Sequence, residues 1–381
     1  MNNKVVSSII AAAALTGVAT AGEAVAPAEA SAFSACDTLK SIGKLYKNSD
    51  NPFIQEAKVF GRAQWQYANV EGEGYNQFRR LRVGGEVKFL NYFTAMARVN
   101  VANGSSSRAD EHLFGHQSYD EAKLTFDAGK AFGIDAFDKA TISYGRSKIN
   151  FGADQHQSSK EIKTVERTAL TNNSRGDNLT GVVVGLQKGN WKGAFAVYSN
   201  TFDDHKLVDS WDDGQTLYAS STFGLENGDL IVDARYNTQS SDGVKWATSA
   251  AYVTEVADWD LSLNAVVGET QNSTGARDGF YYGVVVQPSK FIIEDKLEVV
   301  GRYYFQGSDS EQGVRANGRY SRSDLGGSGR GDEHHSVYAG LNYYLCGHNA
   351  KVMTGVEYET LDTPNGDTSA ATLWSAVRFY F

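Results

Sequence analysis

The sequence predicts an all-β chain, a transmembrane antiparallel β-barrel of about sixteen strands with a short N-terminal leader helix. Three observations predict it. From residue 56 onward apolar and polar residues alternate with period two, in segments of roughly 10–12 residues bounded by Gly, Asn, Asp or Ser. A soluble sandwich would alternate too, but here the wet phase is charged along whole strands, as in Arg80, Arg82, Glu86 and Lys88. Finally, short turns and long connections take turns along the chain, which suits a barrel with one short-turned rim and one long-looped rim.

The elements follow in order. Lys4, the apolar stretch "VVSSIIAAAALTGVA" and the small residues after it make residues 1–26 a secretory signal peptide, with "ATA", "AVA" and "AEA" as cleavage sites. No later run of ~18 apolar residues offers a spanning helix. "FSAC" before Cys36 only faintly resembles a lipoprotein cleavage box, given Phe33 and its distance from the apolar core. Residues 27–55 read as a periplasmic leader. Within it "DTLKSIGKLYK" (37–47) predicts a helix capped by Asp37, with Leu39, Ile42, Leu45 and Tyr46 on one side. It serves as a plain leader or as a small plug against the barrel.

The barrel domain is expected over 56–381. "KVFGRAQWQYA" sets Val59, Ala63, Trp65 and Tyr67 against Lys58, Arg62, Gln64 and Gln66. "LRVGGEVKF" repeats the pattern, and comparable segments run to the closing "TLWSAVRFYF", with Leu373, Val377 and Phe379 facing lipid and Arg378 the lumen. Short turns are expected at Asn91–Tyr92, 188–190, 226–229, 255–258 and 346–349. Longer external connections are expected at 71–77, 103–117, 149–177, 200–214, 270–278 and 306–333. Pro52, Pro288 and Pro364 are expected in turns or loops, where no ladder hydrogen bond is lost.

Composition agrees. The 381 residues include 20 Tyr, 19 Phe and 39 Gly but 4 Pro, a mix that suits many strands and tight turns. With 36 Lys+Arg against 45 Asp+Glu the formal charge is −9, which argues against a nucleic-acid partner. Cys36 precedes the first strand and Cys346 sits in a short turn, so both thiols are expected at the periplasmic rim, paired as a disulfide.

"FRRLRVGGEVK" (78–88) and "ISYGRSKINFGADQHQSSKEIKTVERTAL" (142–170) resemble the phosphate-selective porin O/P family of outer-membrane channels. The closing "RFYF" resembles the assembly signal of outer-membrane barrels. The resemblance spans about residues 56–381. It implies a passive diffusion channel in the bacterial outer membrane for small hydrophilic solutes, leaning toward phosphate-like anions, without cofactor or catalysis. It implies a homotrimer among outer-membrane lipid and lipopolysaccharide. It also implies a third external loop folded into the pore, where fixed charges select ions.

The pore-lining set is then Arg62, Arg80, Arg82, Lys88, Arg98 and Lys123 from the polar phase of the strands, with Lys160, Lys163, Glu166 and Arg167 from that loop. Glu86 and Glu121 offset part of this charge. Alternatives are a barrel lipase or protease and a surface adhesin. The first needs a Ser/His/acid grouping that sequence order does not reveal. For the second, "RGD" at 175–177 and 330–332 is better explained by chance in Gly- and Asp-rich loops. His112/His116 and His334/His335 lack a carboxylate or Cys at metal-ligand spacing. The acidic loop 202–214 has no EF-hand spacing. "GGSGRG" (326–331) lacks the Lys-Ser/Thr of a phosphate loop. Arg315, Arg319, Arg322 and Arg330 read as a basic external loop able to gather anions at the mouth.

Overall fold

A computed structural model describes residues 34–102, 114–239, 242–272, 275–316 and 320–381. The expected signal peptide, the start of the leader, His112 and Arg319 lie outside the described residues.

The chain opens with α1 (Ala35–Ser41) and β1 (Lys44–Lys47), then runs through β2 (Ile54–Val70), β3 (Glu73–Phe89), β4 (Phe93–Ala102) and β5 (Phe114–Asp127). After α2 (Ala128–Phe132) and β6 (Lys139–Ser147) come α3 (Ala153–His156) and α4 (Ala169–Arg175), both inside one long connection. The sheet resumes with β7 (Leu179–Lys188), β8 (Trp191–Ser199), β9 (Gln215–Leu225), β10 (Gly228–Asn237), β11 (Asp242–Val256), β12 (Trp259–Asn272), β13 (Gly279–Ile293) and β14 (Leu297–Ser308). A two-residue ribbon, β15 (Val314–Arg315) with β16 (Arg330–Gly331), precedes β17 (Glu333–Tyr344), β18 (Ala350–Thr363) and β19 (Gly366–Tyr380).

Each barrel strand pairs antiparallel with the next, and β19 returns to β2 with Thr372 opposite Val70 and Tyr380 opposite Arg62. Sixteen strands, β2–β14 and β17–β19, therefore form a closed sheet with no free edge. In lipid that is a requirement, since an unpaired backbone group has no water to turn to. Among the described residues no helix is long and apolar enough to cross a membrane. The outward phase is Val, Leu, Ile and aromatic, for example Phe195, Val197, Leu217 and Val232, all exposed. The inward phase holds the charge.

One rim carries short turns, among them the Ala257–Asp258 turn, whose positive φ at both residues matches the twist of a tight hairpin. The other carries most of the long loops. Three expectations change here. Pro288 lies within β13, opposite Leu261 of β12, and not in a turn or loop. The first external connection is not a loop over 71–77, because pairing of Glu73 with Val70 continues the hairpin almost to its tip. The leader helix stops at Ser41 and Lys44–Lys47 is a strand, since Gly43 interrupts the helix and the backbone beyond it finds a sheet partner in β2. Cys36 and Cys346 are joined in a disulfide.

The lumen is not empty. Residues 148–178, between β6 and β7, fold inward and bury Ile149, Phe151, Val165 and Leu170. Phe151 and Leu170 pack with Val266, Tyr281, Val285 and Tyr304 of the facing wall. Val165 meets Tyr320 and Leu325 of the β15–β16 loop, together with Tyr338 and Trp374. Two inward-folded loops thus fill one side of the lumen.

Candidate functional site: the constricted lumen

The inner loop is a built structure. Asp154 accepts hydrogen bonds from the Thr168 amide (3.0 Å) and from the hydroxyls of Thr168 (2.7 Å) and Thr171 (3.1 Å), tying α3 to the start of α4. Thr168 caps α4, as hydroxyl residues do at helix starts. Gly152 takes φ 74° and donates its amide to Asp233 at 2.8 Å. A Cβ there would sit 2.5 Å from the Asn264 side-chain oxygen and 2.8 Å from a Thr171 methyl, so the entry to α3 needs glycine.

The far wall, β14 and β17–β19, holds this loop with buried charge. Arg302 donates to the Glu166 carbonyl (2.6 Å) and pairs with Glu357 (2.7 Å). Glu357 also accepts from Ser336 (2.7 Å) and Trp374 (3.1 Å). Lys351 donates to the Ile162 carbonyl at 2.7 Å, and Arg378 to the carbonyls of Ser159 and Val165. Lys163 pairs with Glu298 at 2.9 Å and with Asp260. Loop carbonyls are the acceptors that a buried guanidinium or ammonium needs once water is gone.

The near wall, β2–β6, is arranged differently. Two β-bulges alter the alternation. Arg80 pairs with Gln64 and Phe78 with Trp65, so Arg79 is the extra residue and both arginines reach the lumen. Likewise Arg98 pairs with Glu121 and Val99 with Tyr119, which turns both Asp120 and Glu121 inward. Arg98 bonds Asp120 (2.6 Å) and Glu121 (2.7 Å), and Arg82 bonds Asp120 (2.7 Å).

Between this wall and the inner loop lies a cavity of about 520 Å³. Its lining includes nine Lys and Arg, among them Arg62, Arg80, Lys148, Arg167 and Arg175, against four carboxylates, Asp120, Glu121, Asp177 and Asp204. The hydrogen bonds of Arg62, Arg80, Lys148 and Arg175 go to neutral oxygens of Ser159, Gln64, Gln155, Ile149 and Asn178. Burial and the neighbouring cations draw Lys148 well below the usual lysine range.

The constriction continues in both directions. It shares Asn172, Asp177 and Phe202 with an outer cavity of about 690 Å³ that carries Arg235, Arg277, Arg315 and Arg330. It shares Arg62, Arg82, Arg98 and Ser158 with an inner one of about 400 Å³ that adds Lys40, Lys44, Lys58 and Lys160. Basic side chains therefore line the whole route.

The sequence-derived residues separate into groups. Arg62, Arg80, Arg82, Arg98 and Arg167 line the constriction, and Lys160 lines the inner cavity over the Tyr380 ring. Lys163 and Glu166 are instead loop anchors, the latter held by Arg79 (2.6 Å) and Gln66 (3.0 Å). Lys88 pairs with Glu56 at the inner rim with 47% of its side chain exposed, and Lys123 pairs with Glu121 outside the constriction lining. Both lie away from the constriction lining, because alternation reports a side of the sheet and not a height along it. Sequence reasoning passed over Arg79, whose phase is wrong without the bulge, and Arg146, which is buried against Asp209 at 2.6 Å.

Residues 58–229, somewhat under half of the chain, match the family described as phosphate-selective porin O and P. No curated protein matches. Among solved structures, an anion-selective porin from Comamonas acidovorans aligns with TM-score 0.58 at 11% identity, over 86% of this chain and 99% of its own. The outer membrane channel DcaP of Acinetobacter baumannii gives 0.56 at 13%, over 88% and 99%. OmpT of Vibrio cholerae gives 0.57 at 9%, over 86% and 97%.

Proposed function

We propose that this chain, an outer-membrane porin resembling the phosphate-selective porin O and P family, is a passive diffusion channel that favours small anionic solutes. One observation carries the anion preference: four constriction cations have neutral rather than carboxylate acceptors, in a lining of nine cations and four carboxylates. A narrow, low-dielectric passage with that balance concentrates anions, and Arg suits oxyanions through paired N–H donors. The formal charge of −9 does not oppose this, because selection is set where the path is narrow. The test is the reversal potential of reconstituted channels in a salt gradient, with chloride and then inorganic phosphate. An anion-selective potential supports the reading, and a cation-selective one overturns it.

A catalytic role draws little support from the lumen. Ser321, Glu359 and His334 do meet, but Ser321 (2.8 Å) and His334 (3.2 Å) both bond the carboxylate, and all three are buried. A nucleophile would need the imidazole as its own partner. The adhesion reading is weakened because Arg175 and Asp177 line the lumen. A homotrimer is supported by the outward faces of β2–β4, where Ala63, Gly85, Ala95 and Ala97 would let barrel walls approach closely. Contact with lipid headgroups is supported by Tyr303 and Glu333 bonded to His335 on the outer rim.

A further inference from the structure

The barrel seam is longer on one side than on the other. β19 ends at Tyr380 opposite Arg62, whereas β2 begins at Ile54. The start of β2 would face that side unpaired. β1 fills the gap, with Lys44 opposite Lys58, Tyr46 opposite Ala57 and Lys47 opposite Glu56, while the Val59 amide donates to the Gly43 carbonyl at 2.8 Å. One lane of the barrel is thus built from Gly366–Tyr380 above and Lys44–Lys47 below. The approach is close: a Cβ on Gly43 would lie 2.1 Å from the Val59 carbonyl oxygen.

Packing does little to hold this segment. α1 buries none of its residues, and β1 is exposed throughout. What fixes its far end is the bond from Cys36 to Cys346, in the turn between β17 and β18. The leader therefore runs along the inner rim beneath β18 and β19, held by a covalent bond at one end and a short ladder at the other. It also reaches the path: Lys40, Gly43 and Lys44 line the inner cavity with Lys58, Lys160 and Phe381.

We propose that residues 35–47 are a latched lip of the permeation path, with Lys40 and Lys44 as selectivity-setting charges and the Cys36–Cys346 bond as the latch that keeps them there. The proposal rests on the channel reading above. It is tested with the full chain in planar bilayers, comparing the unmodified protein with K40E/K44E, each before and after dithiothreitol. The reagent exchanges the disulfide for two thiols and is itself oxidised to its cyclic disulfide.

In the oxidised state K40E/K44E is expected to lower the anion-to-cation permeability ratio by about twofold. After reduction the two proteins should converge, because the released lip no longer presents either charge to the mouth. C36S/C346S, with and without K40E/K44E, checks the same convergence without reductant, and reduction of folded protein covers the case in which the Cys variants fail to assemble. Identical reversal potentials in the oxidised proteins would overturn the proposal, as would a difference that survives both reduction and C36S/C346S. A channel that conducts but ignores Lys40 and Lys44 removes only the lip. A barrel that does not conduct removes the channel reading and the lip with it.

Discussion

The two walls of the lumen carry the same kind of residue and use it in opposite ways. On the far wall Arg302 and Arg378 are 1–3% exposed, and their Nη groups donate to loop carbonyls and Glu357. On the near wall the Arg82 and Arg98 side chains keep 17% and 15% of their surface, and Arg62 and Arg80 bond only neutral groups among the described residues. The difference lies in the inner loop, which packs along the far wall but meets the near wall only in places, through Arg62, Gln66 and Arg79, and leaves a cavity between those contacts. A charge under the loop is adhesive, and a charge facing the gap is available to a solute. Inward charge alone is therefore not evidence of a selectivity role.

The largest effect should come from breaking the packed side. R302M leaves Glu357 buried with its cation removed, which costs roughly 3–5 kcal/mol for such a pair. Thermal unfolding in detergent, followed by loss of the compact band on gels, should show a clear drop. Adding E357Q should recover much of it, and no recovery would mean that Arg302 stabilises through the loop carbonyls alone.

On the open side the expected outcome is reversed. R80E should leave thermal unfolding near that of the unmodified protein while reducing the anion-to-cation permeability ratio severalfold, as charge reversal in a constriction does. If R80E unfolded as readily as R302M, the two walls would not differ in the way described.

Lys148 extends the contrast to pH. Burial lowers its pKa well below the usual lysine value, and a lysine carries its charge only below its pKa. Anion preference should therefore begin to fall with rising pH earlier than an ordinary lysine near 10.4 would allow. K148R should remove that early decline, because arginine stays charged. Reversal potentials measured from neutral to alkaline pH check both.

Smaller still is G152A, at the hinge of the loop. The left-handed backbone and the contacts with Asn264 and Thr171 should cost about 1–2 kcal/mol and loosen the loop, read as noisier open-channel current. K88Q, at the exposed inner rim, should change neither stability nor selectivity measurably.

Much of the architecture was legible in residues read one after another. Alternation such as Leu373, Val377 and Phe379 against Arg378 is a local property with period two, and it names the face of the sheet without any knowledge of neighbours. Turn residues are local as well, so the count of strands and the short-turned rim followed. The outer-membrane setting follows from closing such strands on one another. The site was less legible. Lys163 and Arg167 lie four positions apart in one loop, yet one anchors to Glu298 and the other lines the gap.

The sequence by itself determined which side of the sheet most strand charges occupy, because side chains alternate wherever no bulge intervenes. Only the tertiary structure decided which of those charges meet a solute. That choice depends on where a long loop lies across the lumen, on bulges that turn Arg79 and Asp120 inward, and on a leader bonded to residues 310 positions away. Each is a contact between distant segments, and the period of a strand carries no information about which distant segment will be packed against it.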